Sequence, residues 1–326
     1  MRLEATIARF RESELRCMLA AVLPPLTMRV RSFILVAGLL PALAAVSQAQ
    51  DTATTQPSQT EADKTALLDR VLANEKKSDE LMNLYERVER VEMRKTADDP
   101  APAQVRVSRV VPAGTGLDHI PIGPDGKPGN PDVYHAELIK LERALSWASD
   151  DGQAQQDAYE KVAKKQKERD ELIDATRVAF LYTFVSTETR AGQVLYKYSM
   201  APNPAYKPIS RATSIFARVH GFVWIDPAAG QIARIEGEVT DDITIGLFLA
   251  KIYKGSHFFQ ERHEMQPGLW MPSFSQYDFD GRKFFSSISV HERTFYSHYQ
   301  RIGPPKEALA IIRAELGKPA STVSDP

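Results

Sequence analysis

Cysteine is almost missing from this chain of 326 residues. The only one, Cys17, precedes the expected mature start, so neither a disulfide framework nor a thiolate nucleophile nor a cysteine metal site is expected. Catalytic signatures are missing too. The seven histidines form no HxH or HExxH pair, and no GxSxG, SxxK, P-loop or GxGxxG occurs. Asp241 and Asp242 are adjacent, and adjacent strand residues point to opposite faces, which suits no shared metal. Positive charge is in no excess: 41 Lys and Arg stand against 42 Asp and Glu. Without residues 1 to 49 the balance is 35 against 39, a net charge of −4. Such a surface has no field to hold nucleic acid. Nothing here calls for a cofactor, and binding rather than catalysis is the expectation.

A long apolar run is also lacking. The stretch from Ser32 to Val46 is too short for a comfortable membrane span and is interrupted by Pro41. With Arg29 and Arg31 before it and Ser47-Gln48-Ala49 after it, it has the layout of a secretory signal over residues 28 to 49. Met28 is then the expected start, and residues 1 to 27 an extension upstream of it. No cysteine stands at the cleavage site, so no lipid anchor is expected. The reading is a protein exported to the periplasm, with transient membrane contact and no permanent anchorage.

What is present is a helix-to-strand pattern in a single domain over residues 63 to 317. Residues 50 to 62 form a polar leader and residues 318 to 326 a loose tail. Leu67, Leu68, Val71 and Leu72, then Leu81 and Leu84, have helical spacing, with a switch to strand between Asn83 and Arg94. Residues 105 to 111 read as a strand and 119 to 131 as a Pro/Gly loop. Tyr134, Leu138, Leu141, Leu145 and Ala148 stripe a helix from Asp132 to Ser149, and a charged second helix runs from Gln153 to about Asp174. Together they predict a helical-hairpin insert over residues 132 to 174. From Val178 to Arg301 hairpin follows hairpin, with turns at Ala191-Gly192, Asp226 to Gly230, Pro267-Gly268 and Asp280-Gly281. A short helix from Pro305, stopped by Gly317, closes the domain. The fold class is α+β, a strongly curved antiparallel sheet covered by helices. Large apolar groups on both faces of several strands suggest that the sheet wraps around a helix or an apolar cavity.

Several motifs recur together: NPAYKP (203 to 208), GFVWID (221 to 226), IARIEGE (232 to 238), GLFLAK (246 to 251) with KGS (254 to 256), and LWMP (269 to 272). The set resembles an uncharacterised secreted branch of the outer-membrane lipoprotein-sorting superfamily, the LolA/LolB-like and RseB-like half-barrels. The resemblance covers roughly residues 63 to 302. It implies a half-barrel whose apolar concave face holds acyl chains, and so a lipid or acylated lipoprotein as partner of a monomeric, non-enzymatic protein. The helical insert and the lack of a mature N-terminal cysteine depart from the smaller carriers and from the anchored acceptors. Phe222, Trp224, Phe248, Trp270, Tyr277 and Phe279 are the expected lining or rim of the cavity. Two other roles stay open. One is a regulatory or scaffold module docking an envelope protein through the insert. The other is an envelope hydrolase built from scattered groups such as His263 and His291.

Overall fold

The computed structural model describes residues 60–245, 250–284 and 286–317. The upstream extension, the signal segment, nearly all of the leader, Phe248 and the tail lie outside these. Among the described residues no helix is long and apolar enough to cross a membrane.

Helix α1 (Glu61–Met82) starts at a capping box. The Thr60 side chain accepts from the Asp63 amide, and the Asp63 carboxylate accepts from the Thr60 amide. Helix α2 (Pro131–Ala148) starts with proline at its first position, and the Asn130 side chain accepts from the Asp132 and Val133 amides. All five stripe residues expected of it are buried. Helix α3 (Gln153–Ala179) outruns the expected end at Asp174 and passes without a loop into β4, where Phe180 is already extended. Helix α4 (Pro305–Leu316) begins and ends where the sequence places it.

Ten of the twelve strands form one antiparallel path, β3 (Leu117–Pro121), β2 (Gln104–Pro112), β1 (Tyr85–Arg94), β12 (Ser286–Arg301), β11 (Leu269–Lys283), β10 (His257–Gln266), β7 (Gln231–Val239), β6 (Val219–Asp226), β5 (Gln193–Pro202) and β4 (Phe180–Arg190). The path is open, with β3 and β4 as its edges. The short strands β8 (Ile243–Ile245) and β9 (Ala250–Ile252) pair with each other, and β9 joins β11. Strand β3 is an addition to the expected pattern, since it occupies the start of the presumed loop.

One expected turn is displaced. Strand β11 runs straight through Asp280-Gly281 to Lys283, and the reversal follows at Phe284, which adopts φ 56°. Gly281 is needed for another reason: β9 crosses there, and a Cβ would meet the carbonyl oxygen of Lys251. The other three turns stand as expected. The left-handed residues are Ala191 and Gly192 in one, Gly230 in the next and Gly268 in the third.

Register fixes the two faces. Met200, Gly221, Gly237, Phe258, Tyr277, Glu292, Met93 and Gln104 are partners in succession across eight strands, so they share one face. Helices α1 and α3 lie on this face. They run antiparallel, stapled by Asp69 to Arg177 (2.9 Å), Lys76 to Asp174 (2.6 Å) and Asp79 to Arg169 (2.6 Å). Val111 and Ile120 point the other way, and there α2 and α4 form a second core with them. Arg109 bridges that core to both helices, pairing with Glu86 and Glu315 and donating to the Tyr134 hydroxyl at 2.7 Å. The two helices of the expected insert therefore have different partners, α4 for α2 and α1 for α3.

Glycine at 237 has a visible purpose, because the Phe258 ring lies where its Cβ would be. Gly237→Val should push that ring out of the core and lower stability by about 1–3 kcal/mol. Urea unfolding followed by tryptophan fluorescence measures this, and an unchanged midpoint would contradict the packing described.

Candidate functional site

On the face covered by α1 and α3 a cavity of about 150 Å³ remains between helices and sheet. Its floor is the inner row of the hairpin strands: Val223 and Ile225 on β6, Ile232 and Ile235 on β7, Phe258 on β10 and Phe279 on β11. Leu68, Val71 and Leu72 of α1 and Ile173 of α3 form the roof. Ile243 and Ile252, at the ends of the β8–β9 pair, close one side.

The helix roof is fastened to the Trp224 hairpin at its turn. Asn74 donates to the carbonyls of Ala229 (3.1 Å) and Gly230 (2.9 Å), and Arg70 donates to that of Pro227. At the other margin Lys64 donates to the Tyr182 carbonyl at 3.3 Å. Tyr182 also lines the cavity, and burial pushes its phenol up to about 12, so it stays neutral.

One part of the lining is polar. Glu75 pairs with Arg262, whose side chain is 5% exposed against 20% for the acid. Asp79 is held by Arg169 and accepts from Gln166 at 3.0 Å. Burial raises the Asp79 carboxyl above its usual range, and Arg169 opposes the rise. Gln260 lies between Phe258 and Arg262 on the same strand.

The expected site residues divide by parity. Phe279 lines the cavity, and Tyr277, two residues earlier on the same face, is buried in the same cluster with its ring stacked on Phe279 at 5.9 Å. Phe222, Trp224 and Trp270 lie on the opposite face. Trp224 and Trp270 pack there with Leu195 and Ala233, and Phe222 rests against them. Phe248 falls outside the described residues. The residues missed were the small aliphatic neighbours, Val223 and Ile225, one position from the aromatics. The alternation was visible in the sequence, and choosing the bulkier side of it selected the face opposite the cavity.

Two of the outward aromatics, Phe222 and Trp224, face long charged side chains. Lys197, Trp224, Arg234, Glu261, Phe274, Phe295 and Arg90 are successive register partners across seven strands. The Lys197 ammonium lies 4.5 Å from the Phe222 ring centre and 4.7 Å from that of Trp224. The Arg234 guanidinium sits 4.6 Å from Trp224 and 4.3 Å from Phe259. The Trp224 indole donates to Glu188 at 2.9 Å. These contacts leave Trp224 only 2% exposed with no helix above it.

Three of the histidines lie in register on the same outward face. His220, Glu238, His257, Asp278 and His291 form another cross-strand row, with His291 3.2 Å from Asp278. His263 instead meets Ser273, at 2.7 Å. Among the described residues no group of three His, Cys, Asp or Glu is placed to hold a metal ion.

Comparison with protein-family models, curated proteins and solved structures finds no match to this chain.

Two outcomes follow. Trp224→Ser should reduce stability by about 3 kcal/mol or more while leaving binding of an apolar probe in the cavity unchanged. Loss of probe binding in a folded variant would return Trp224 to the site. The second concerns Asp79. Its raised native carboxyl keeps a proton to higher pH than the unfolded chain does, so this contribution to stability is present at low pH and lost as pH rises through the native value. Asp79→Asn cannot ionise. Its stability relative to the parent should therefore climb as pH rises above the ordinary carboxylate range of about 4, measured by urea unfolding at each pH, and a flat or falling difference would refute the assignment.

Proposed function

We propose that this chain is an exported, periplasmic lipid-binding protein that holds an acyl chain between α1, α3 and the sheet. In this reading it serves lipoprotein sorting or upkeep of the outer membrane, needs no nucleotide or metal, and performs no covalent step. The observation that carries the proposal is the cavity itself: walls mostly aliphatic and aromatic, with Glu75, Asp79, Arg169 and Arg262 gathered in one part and Arg177 alone at another. The signal layout of residues 28 to 49 and the motif set between 203 and 272 support the compartment and the family. The sheet, wrapped around two helices, is read as the half-barrel of that family.

Magnitudes agree with a carrier. A void of this size is close to that which admits benzene in an engineered core, and it equals about five water volumes. Each buried methylene contributes about 0.8 kcal/mol, so five give about 4 kcal/mol, equivalent to a Kd of about 1 mM. An acyl chain held with that strength is released readily, as transfer between membranes requires.

A docking role for the insert has less support. Helix α3 is the roof of the cavity and α2 is committed to α4, so residues 132 to 174 do not form a free arm. The hydrolase role has less still, since His263 and His291 have different partners.

Leu72 is a half-buried roof residue, so Leu72→Trp should fill the void without unfolding the protein. Native mass spectrometry of the parent, sprayed in the presence of excess lipid, should show a bound mass in the lipid range that organic extraction removes. The variant should show only the bare chain. A bare parent that stays bare after incubation with lipid would overturn the proposal.

A further inference from the structure

We propose that the cavity selects a single-chain carboxylate amphiphile, whose head displaces Glu75 from Arg262 while its chain occupies the apolar end. The inference rests on the reading of the cavity as a ligand site and adds the chemistry of the head.

Three elements change polarity in the same direction along the cavity. On α1, Val71 gives way to Glu75 and Asp79 one and two turns later. On α3, which runs the opposite way, Ile173 gives way to Arg169, while Arg177 on its other side is paired with Asp69. On β10, Phe258 gives way to Gln260 and then Arg262. An apolar chain lying along the void therefore brings its head to these ion pairs.

Arg262 is the fixed member. It sits opposite a bulge of β11, where its backbone pairs with Pro272, and its side chain is 5% exposed. Its Nη1 reaches Glu75, and its Nε is buried without a hydrogen-bond partner among the described residues. A guanidinium does not lose its proton in a protein, and a carboxylate takes Nε and an Nη together in a bidentate bond. Glu75 supplies only one such contact and, being the more exposed partner, can turn to water. Replacing it by a ligand carboxylate keeps the site neutral and fills the vacant donor. An ammonium head would have to strip Glu75 from Arg262 and leave a buried cation alone, which is strongly unfavourable. An alcohol carries no charge to replace the acid. The small void restricts the ligand to one chain.

The test titrates the full chain with decanoate, decanol and decylamine by calorimetry. Decanoate should bind at least tenfold more tightly than decanol, and decylamine most weakly. Arg262→Met should bring decanoate down to the level of decanol and leave decanol itself unchanged. Glu75→Gln, which removes the competing charge from an accessible position, should tighten decanoate severalfold. It keeps the test decisive should Arg262→Met fail to fold. Decanol binding equal to decanoate, tightest binding by decylamine, or no gain in Glu75→Gln would overturn the head assignment and leave the apolar site standing. No binding of any of the three would overturn the cavity reading and this inference with it.

Discussion

Strand register is the constraint from which the rest of the structure follows. Side chains alternate with a period of two, so one unbroken row from Met200 to Gln104 decides for eight strands which residues meet α1 and α3. The irregularities support the same division. At the bulge between Trp224 and Ile225, Ala233 and Arg234 can both face outward while Ile232 and Ile235 both line the cavity. Gly237 leaves room on the inner face for Phe258. A shift of one residue in any central strand would exchange cavity wall for charged surface.

The two faces are covered by different means. Inside, a helix pair stapled by three ion pairs roofs an apolar floor and stops short of filling it. Outside, α2 and α4 cover only the end near β2 and β3, and the middle of the sheet is closed by its own lysines and arginines lying over aromatic rings. The long alkyl stems screen the rings while the charged heads stay near water and their acidic neighbours. This is how a sheet with large apolar residues on both sides remains compatible with solvent. It also explains why tryptophan, the most conspicuous residue of the hairpin, belongs to the closed face and the aliphatics to the open one.

Much of the architecture was legible in the sequence. The stripe from Tyr134 to Ala148, proline at the start of α4 and three of the four hairpin turns all follow from local rules that tertiary contacts reinforce. The displaced turn was not legible, because Asp280-Gly281 has the composition of a reversal and the reason for its glycine is a strand thirty residues away. Strand β3 was masked by the prolines that follow it. The cavity was half legible: alternation along β6 announced two faces, yet only the partners of Trp224 on β5 and β7, together with α1 above Ile225, reveal which one is covered by a helix. The ion pairs at its polar end join α1 to α3 and β10, so no local window contains them.

Strand β1 has a remote partner. It pairs on one side with β2, close in sequence, and on the other with β12, about two hundred residues later. The piece made of β1, β2 and β3 therefore joins the remaining sheet only through the last strand. During synthesis the roof helix α1 emerges before the floor that it covers. Closing a loop of that length is slow compared with forming local hairpins. Every residue that lines the cavity precedes β12, so this last pairing closes the domain and not the cavity.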